Sequence, residues 1–119
     1  MLSTTCHCGD VTITIPRSPE KLTNCNCSIC RRSGALWAYY LVGEVSVTGH
    51  PERTQAYIWG DKTLRIVRCR NCGCVTHWEP LEAKPEGRMG VNARNFDPLM
   101  LGNVQIQRLD GADTWKLVE

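Results

Sequence analysis

The stretch Leu64-Arg65-Ile66-Val67-Arg68-Cys69-Arg70-Asn71-Cys72-Gly73-Cys74-Val75-Thr76-His77-Trp78 carries the plan of the chain. Residues 64–68 and 75–78 are rich in apolar and β-branched side chains, which predicts two short strands. What joins them is a pair of cysteines with two residues between them, and Gly73 directly behind. Glycine tolerates the positive φ of a tight turn, so backbone amides in such a turn can point at the thiolates. The stretch therefore predicts a strand that delivers Cys69 at its end, a knuckle, and a strand that leaves it.

The same punctuation recurs upstream. Cys6 and Cys8 form Cys-x-Cys ahead of Gly9, and Cys25, Cys27 and Cys30 form Cys-x-Cys-x-x-Cys. With Cys74 this makes eight cysteines in 119 residues. Pairs this close seldom bridge to each other, because a disulfide needs a particular separation and dihedral. They suit zinc, whose thiolates at about 2.3 Å from the ion sit about 3.7 Å apart. Residues 1–9 have neither a basic start nor an apolar run, so no export signal is expected. The expected compartment is the reducing cytosol, where clustered thiols more often bind metal than form disulfides.

Ligand arithmetic then suggests a partition. A structural zinc takes four protein ligands, whereas a catalytic one keeps an open position. Joining the two pairs gives a closed site of Cys6, Cys8, Cys69 and Cys72, and leaves Cys25, Cys27 and Cys30 as a three-thiolate site. Other pairings remain open. Cys74 is either a small residue beside the closed site or a further thiolate that seals the second one.

Around the clusters the chain reads as strands and turns. Strands are expected at 11–15, 36–42, 45–48, 54–59, 64–68, 75–78, 88–92 and 104–109, with a turn at Gly60-Asp61-Lys62. Single helical turns are expected at 28–34 and 97–101, and a loop at 79–87, which holds Pro80, Pro85 and Gly87. The sum is an all-β fold in one domain spanning residues 1–119, with no repeat or linker to divide it. Lys plus Arg is 14 against 12 for Asp plus Glu, a net +2. Seven thiolates and two zinc ions leave the loaded chain nearly neutral. Charge thus gives no reason to expect nucleic acid as a partner. No apolar run approaches the roughly 18 residues a membrane span requires.

Three sets of residues carry the resemblance that follows. They are Cys6-His7-Cys8-Gly9, Cys25-Asn26-Cys27-Ser28-Ile29-Cys30-Arg31-Arg32 and Cys69-Arg70-Asn71-Cys72-Gly73. Together with Trp59-Gly60-Asp61-Lys62 and Arg88-Met89-Gly90-Val91-Asn92-Ala93-Arg94, this pattern resembles the glutathione-dependent formaldehyde-activating enzyme (GFA) / centromere protein V family almost end to end. The resemblance implies a small zinc-stabilised β-tent of several short curved antiparallel sheets. It implies the same two zinc sites as the arithmetic: structural zinc on Cys6, Cys8, Cys69 and Cys72, and a second zinc on Cys25, Cys27 and Cys30. It also implies an S-(hydroxymethyl)glutathione synthase activity, that of a carbon–sulfur lyase. The substrates would be a small-molecule thiol, glutathione, and an aldehyde, formaldehyde. Cys74 departs from the family pattern, which has a small hydroxyl residue there.

Several residues have two readings. Arg31 and Arg32 either hold glutathione carboxylates or form a solvated pair. His7 is expected to point away from the metal, and His50 to be a turn residue beside Pro51. His77 is either a core histidine bonded to backbone or an acid/base group near the open zinc. Trp37, Tyr39, Tyr40 and Trp59 either line a pocket or fill the core. Asn92, Arg94 and Asn95 either face a ligand or make a turn. The alternative function is a zinc-stabilised binding module without catalysis.

Overall fold

The computed structural model describes residues 1–60 and 62–118. Asp61, expected in a turn after Trp59, and Glu119 lie outside the described residues. The strands are β1 (Leu2–Thr5), β2 (Thr12–Ile15), β3 (Lys21–Cys25), β4 (Trp37–Leu41), β5 (Ser46–Thr48) and β6 (Thr54–Tyr57). They continue with β7 (Leu64–Cys69), β8 (Val75–Pro80), β9 (Arg88–Asn92), β10 (Gln105–Leu109) and β11 (Leu117–Val118). Two single-turn helices intervene, α1 (Cys30–Ser33) and α2 (Pro98–Leu101). Helix α1 ends on Gly34, left-handed at φ 72°, where the Cβ of another residue would be strained. Helix α2 starts on the Asp97 carboxylate, which accepts from the Leu99 amide at 3.0 Å.

One sheet has the order β1-β2-β5 and the other β11-β10-β3-β4-β9-β8-β7-β6. Strand β2 shows how sequence sets the faces. Ile13 and Ile15 alternate with threonines, and both isoleucines are fully buried. They pack with Leu22, Ala38, Tyr40, Met89, Val91 and Phe96 in the largest apolar cluster. Two smaller clusters surround the cysteines. Cys25, Cys30, Ala35, Trp37 and Ile66 form one, and Cys6, Val11 and Cys69 the other.

The expected strands are present, with ends shifted by one or two residues. Three more occur that hydrophobic alternation does not reveal. Strand β1 reads Leu-Ser-Thr-Thr, β3 reads Lys-Leu-Thr-Asn-Cys, and β11 has only two residues. Strand β8 extends to Pro80, so the expected loop begins two residues later. The described ladders are antiparallel except one: β3 pairs in parallel with β10, Leu22 opposite Ile106 and Cys25 opposite Leu109. Parallel neighbours need a long crossover, and here most of the chain supplies it. The outcome brings the C-terminal strands beside Cys25.

Tyr40 gives an alkaline test of the core. Its hydroxyl donates to the Arg17 carbonyl at 2.9 Å. Burial raises the phenol to about 12, from an ordinary value of 10, against the pull of Arg17. The fold therefore favours the neutral phenol. This contribution is whole below pH 10 and is lost as pH rises towards 12. Denaturant midpoints should fall across that window in the native chain, and fall less in Tyr40→Phe.

Candidate metal centres and the cavity beside them

The knuckles bring the cysteines together in two groups. In the first, Cys6 Sγ lies 3.7 Å from Cys8 Sγ, and Cys8 Sγ lies 3.5 Å from Cys69 Sγ. Cys72 completes the four, with all sulfurs within 4.8 Å of one another. These separations are far beyond a disulfide bond of about 2.04 Å and match the edge of a zinc thiolate tetrahedron, about 3.7 Å. The donor set therefore fits a metal ion. Gly9 and Gly73 adopt φ of 88° and 79°, as the turns require. The Val11 amide donates to Cys6 Sγ at 3.4 Å and the Cys72 amide to Cys69 Sγ at 3.5 Å. The group ties the hairpin of β1 and β2 to the end of β7.

The environment polarises these thiols. Burial would raise Cys72, but the amides of Cys74 and Cys8 donate to its sulfur and bring it down to about 6. The Cys72 amide pulls Cys69 down, yet burial and the neighbouring thiols hold it up at about 11. Full ionisation of the group thus needs a cation, and metal uptake should release protons. Cys74 packs against this group, close to Cys69 and Cys72, and its sulfur accepts from the His7 amide. It is not among the sulfurs of the second group. The His7 residue itself is exposed.

The second group is Cys25, Cys27 and Cys30, within the same 4.8 Å limit. Cys25 and Cys30 are buried and Cys27 half-buried. The Cys27 amide donates to Cys25 Sγ at 3.5 Å and the Cys30 amide to Cys27 Sγ at 3.4 Å. The Trp37 indole N–H donates to Cys30 Sγ at 3.3 Å. Burial raises Cys25 and Cys30. Burial also opposes ionisation of Cys27, but hydrogen bonds from the Cys30 thiol and amide outweigh it and lower its pKa. Three soft donors in this arrangement can also hold a metal ion.

This trio opens into a cavity of about 420 Å³. Its walls include Trp37, Tyr39, Trp59, Trp78, Arg88 and Trp115. Three of the four aromatics with two readings thus line the cavity, while Tyr40 belongs to the core. Arg88 lies over the Tyr39 ring at 4.5 Å from its centroid. Trp78 stands opposite Gly90 in the ladder, and a Cβ at position 90 would overlap its indole. Arg31 and Arg32 are exposed on α1 and do not line the cavity; Arg32 donates to the Ser28 carbonyl at 2.7 Å. Asn92 and Asn95 are turn chemistry: both amides donate to the Val75 carbonyl, and Asn92 Oδ1 accepts from Leu36 and Arg94. Arg94 donates to the Gly34 carbonyl.

The sequence reading missed the cover over the trio. Asn26, between two of its cysteines, donates to Asp110 Oδ1 and accepts from the Ala112 amide, each at 3.0 Å. Asp110 in turn accepts from Thr114. These bonds seat the turn between β10 and β11 on the cluster, with buried Gly111 facing Cys25. The readable signal was Asn26 itself, a side chain fixed in direction by its two cysteine neighbours.

Fold and site define a class: a mostly β protein whose turns gather cysteines into two metal-competent groups, one of them facing a cavity. Residues 1–107 match the profile of the family described as glutathione-dependent formaldehyde-activating enzyme, and the chain belongs to that family. A crystal structure of a Rhodobacter sphaeroides protein is similar, at TM-score 0.70 and 33% identity, covering 88% of this chain and 99% of that one. Among curated proteins no relative matches. No described helix is long and apolar enough to cross a membrane.

Proposed function

We propose that the protein is a zinc-dependent carbon–sulfur lyase acting on adducts of a thiol, glutathione, with formaldehyde. Cys6, Cys8, Cys69 and Cys72 would hold a structural zinc, and Cys25, Cys27 and Cys30 a second one. A zinc ion held by the trio would stabilise a bound thiolate and act as a Lewis acid. The observation that carries the reading is the position of the trio: three thiols, one short of a tetrahedron, at the wall of a cavity with room for a small peptide.

In the reaction the thiol sulfur forms a bond to the aldehyde carbon. The C=O π pair moves to oxygen, which takes the proton the thiol has shed; the reverse step is the lyase direction. The chain's own residues bind and orient. Trp37 fixes the Cys30 sulfur, and the aromatic walls give the cavity apolar surface to hold a ligand. Arg88 places a guanidinium on the cavity wall, where it can meet a glutathione carboxylate or offset thiolate charge. Arg31 and Arg32 remain proposed contacts for the parts of glutathione that reach past the cavity. The cytosol, which keeps these thiols reduced, is the fitting compartment.

NMR exchange between formaldehyde and glutathione, with and without protein, tests the activity. Acceleration should vanish in Cys27→Ala and persist in Glu82→Gln on the exposed loop. No acceleration at any metal loading would favour a zinc-stabilised binding module. Glutathione affinity should fall about tenfold in Arg88→Ala, the size of one charge-assisted hydrogen bond. Smaller losses are expected in Arg31→Ala and Arg32→Ala; unchanged affinity in both removes them from the site.

A further inference from the structure

Away from the cysteines, three more donors converge. His50, in the turn before β6, meets His77 and Glu79, alternate residues on one face of β8, with one ligand atom of each within 4.8 Å of the others. The His77 side chain is fully buried, while those of His50 and Glu79 keep 17% and 15% of their exposure, so the group is reachable from one side. None of the three lines the cavity. The expectation of His50 as a simple turn residue, and of His77 as bonded to backbone or near the second zinc, gives way to this pairing.

Two threonine hydroxyls decide which ring nitrogens carry protons. Thr76 Oγ1 lies 3.2 Å from the Val67 carbonyl and 2.8 Å from His77 Nδ1. Thr54 Oγ1 lies 3.2 Å from the Pro51 carbonyl and 2.7 Å from His50 Nδ1. A hydroxyl has one proton to give, and a carbonyl only accepts. Each hydroxyl has two arrangements open to it: it donates to its carbonyl and accepts Nδ1–H from its histidine, or it donates to Nδ1 and leaves Nε2–H on the ring. Both rings then turn Nε2 towards the same carboxylate oxygen, Glu79 Oε1, at 2.7 Å for His77 and 3.0 Å for His50. In the first arrangement those are neutral lone pairs facing an anionic oxygen; in the second they are N–H donors to it. A cation among them completes the first arrangement, whereas the second tautomer needs none.

Protons alone hold the first arrangement only if both rings become imidazolium. Then two cationic rings with centroids 4.9 Å apart would share one carboxylate with Arg65, whose Nη1 is 3.0 Å from Glu79 Oε2. Burial opposes this and lowers the His77 pKa. A divalent ion meets the need with a single particle. In the first arrangement the surroundings are those of a metal site: each ligating ring gives its other N–H to an oxygen, and the carboxylate is oriented by Arg65. A bulge at Val67/Arg68 leaves Thr76 without a cross-strand partner and sets its hydroxyl beside the His77 ring.

We propose that His50 Nε2, His77 Nε2 and Glu79 Oε1 form a third cation site, for a borderline divalent ion such as Zn²⁺, separate from both cysteine groups. Two imidazoles and one carboxylate are a donor set zinc takes readily, at about 2.0–2.2 Å. The donors need to part by several tenths of an ångström to seat the ion, most of all His77 Nε2 and Glu79 Oε1, which stand 2.7 Å apart. The ion would tie the entry of β6 to β8.

The test titrates the purified full chain, already loaded with Zn²⁺ at its cysteines, with further Zn²⁺ alone. Calorimetry counts the ions and nitrogen NMR of the imidazole rings locates them. One further equivalent is expected, moving Nε2 of His50 and His77 and leaving His7 in place. It should be lost in His50→Ala and bound about 10–100-fold more weakly in Thr76→Val. No further equivalent at millimolar zinc overturns the proposal. So does Nε2–H on both rings throughout the titration, or an extra ion that survives His50→Ala. The ring nitrogens report this site alone, so failure of the cysteine assignment would be seen separately.

Discussion

Cys69→Ser is expected to yield insoluble or molten protein. Cys69 has no exposed surface, sits 3.5 Å from Cys8 Sγ, and ends the strand that carries the knuckle. Among the described residues its apolar cluster holds Val11 and Cys6 fully buried, with Val47, Cys72 and Cys74 partly so. The main apolar cluster holds β2 through Ile13 and Ile15, but this small cluster is all the apolar packing at the knuckle end, where the ion would supply the rest. Structural zinc contributes about 10–16 kcal/mol of apparent binding energy in peptides, whereas a domain keeps only about 5–15 kcal/mol of net stability. Losing the larger part of the first quantity exhausts the second. A serine hydroxyl does not replace the sulfur, since it stays protonated where a thiol ionises on metal binding. A well-dispersed NMR spectrum for Cys69→Ser, recorded beside Glu82→Gln, would contradict the assignment of the four-cysteine group as the structural centre.

Gly111→Ala should do the reverse, sparing the fold and emptying the trio. A Cβ at this position would fall 2.5 Å from Cys25 Sγ and 3.4 Å from both Cys27 Cβ and Trp115. Either the turn lifts, breaking the bonds of Asn26 to Asp110 and Ala112, or Cys25 rotates out of the group. Both responses spread the three sulfurs. Retention of the second ion should weaken by about 10–100-fold, the usual cost of disturbing the support of a ligand. Circular dichroism should be unchanged, because the turn lies outside the main apolar cluster. Elemental analysis after dialysis against a mild chelator reads the result: an ion lost from Gly111→Ala and kept in the native chain. Equal retention in both would show that the turn does not govern the trio.

The division of the cysteines into four and three was legible because ligand spacing is local. Two short motifs and a glycine state the geometry of a knuckle before any tertiary contact forms. Strands with alternating apolar residues, such as β2 and β7, were legible for the same reason. What stayed hidden depends on pairing across the chain. Strands β1 and β3 are mostly polar and become strands only because β2, β4 and β10 flank them. Arg88 reaches the cavity wall because β9 lies between β4 and β8, which no local pattern announces. His50 joins His77 and Glu79 through the β6-β7-β8 ladder, although His77-x-Glu79 already put two donors on one strand face. Gly111 needed the parallel β3–β10 pairing to arrive at Cys25.

The functional reading stands on the proposal that sulfur would hold two ions unequally. Cadmium NMR of the cadmium-substituted chain tests it most directly. Two resonances in the thiolate range are expected, and glutathione should move one while leaving the other in place. A single thiolate resonance, or two that both ignore the thiol, would contradict it.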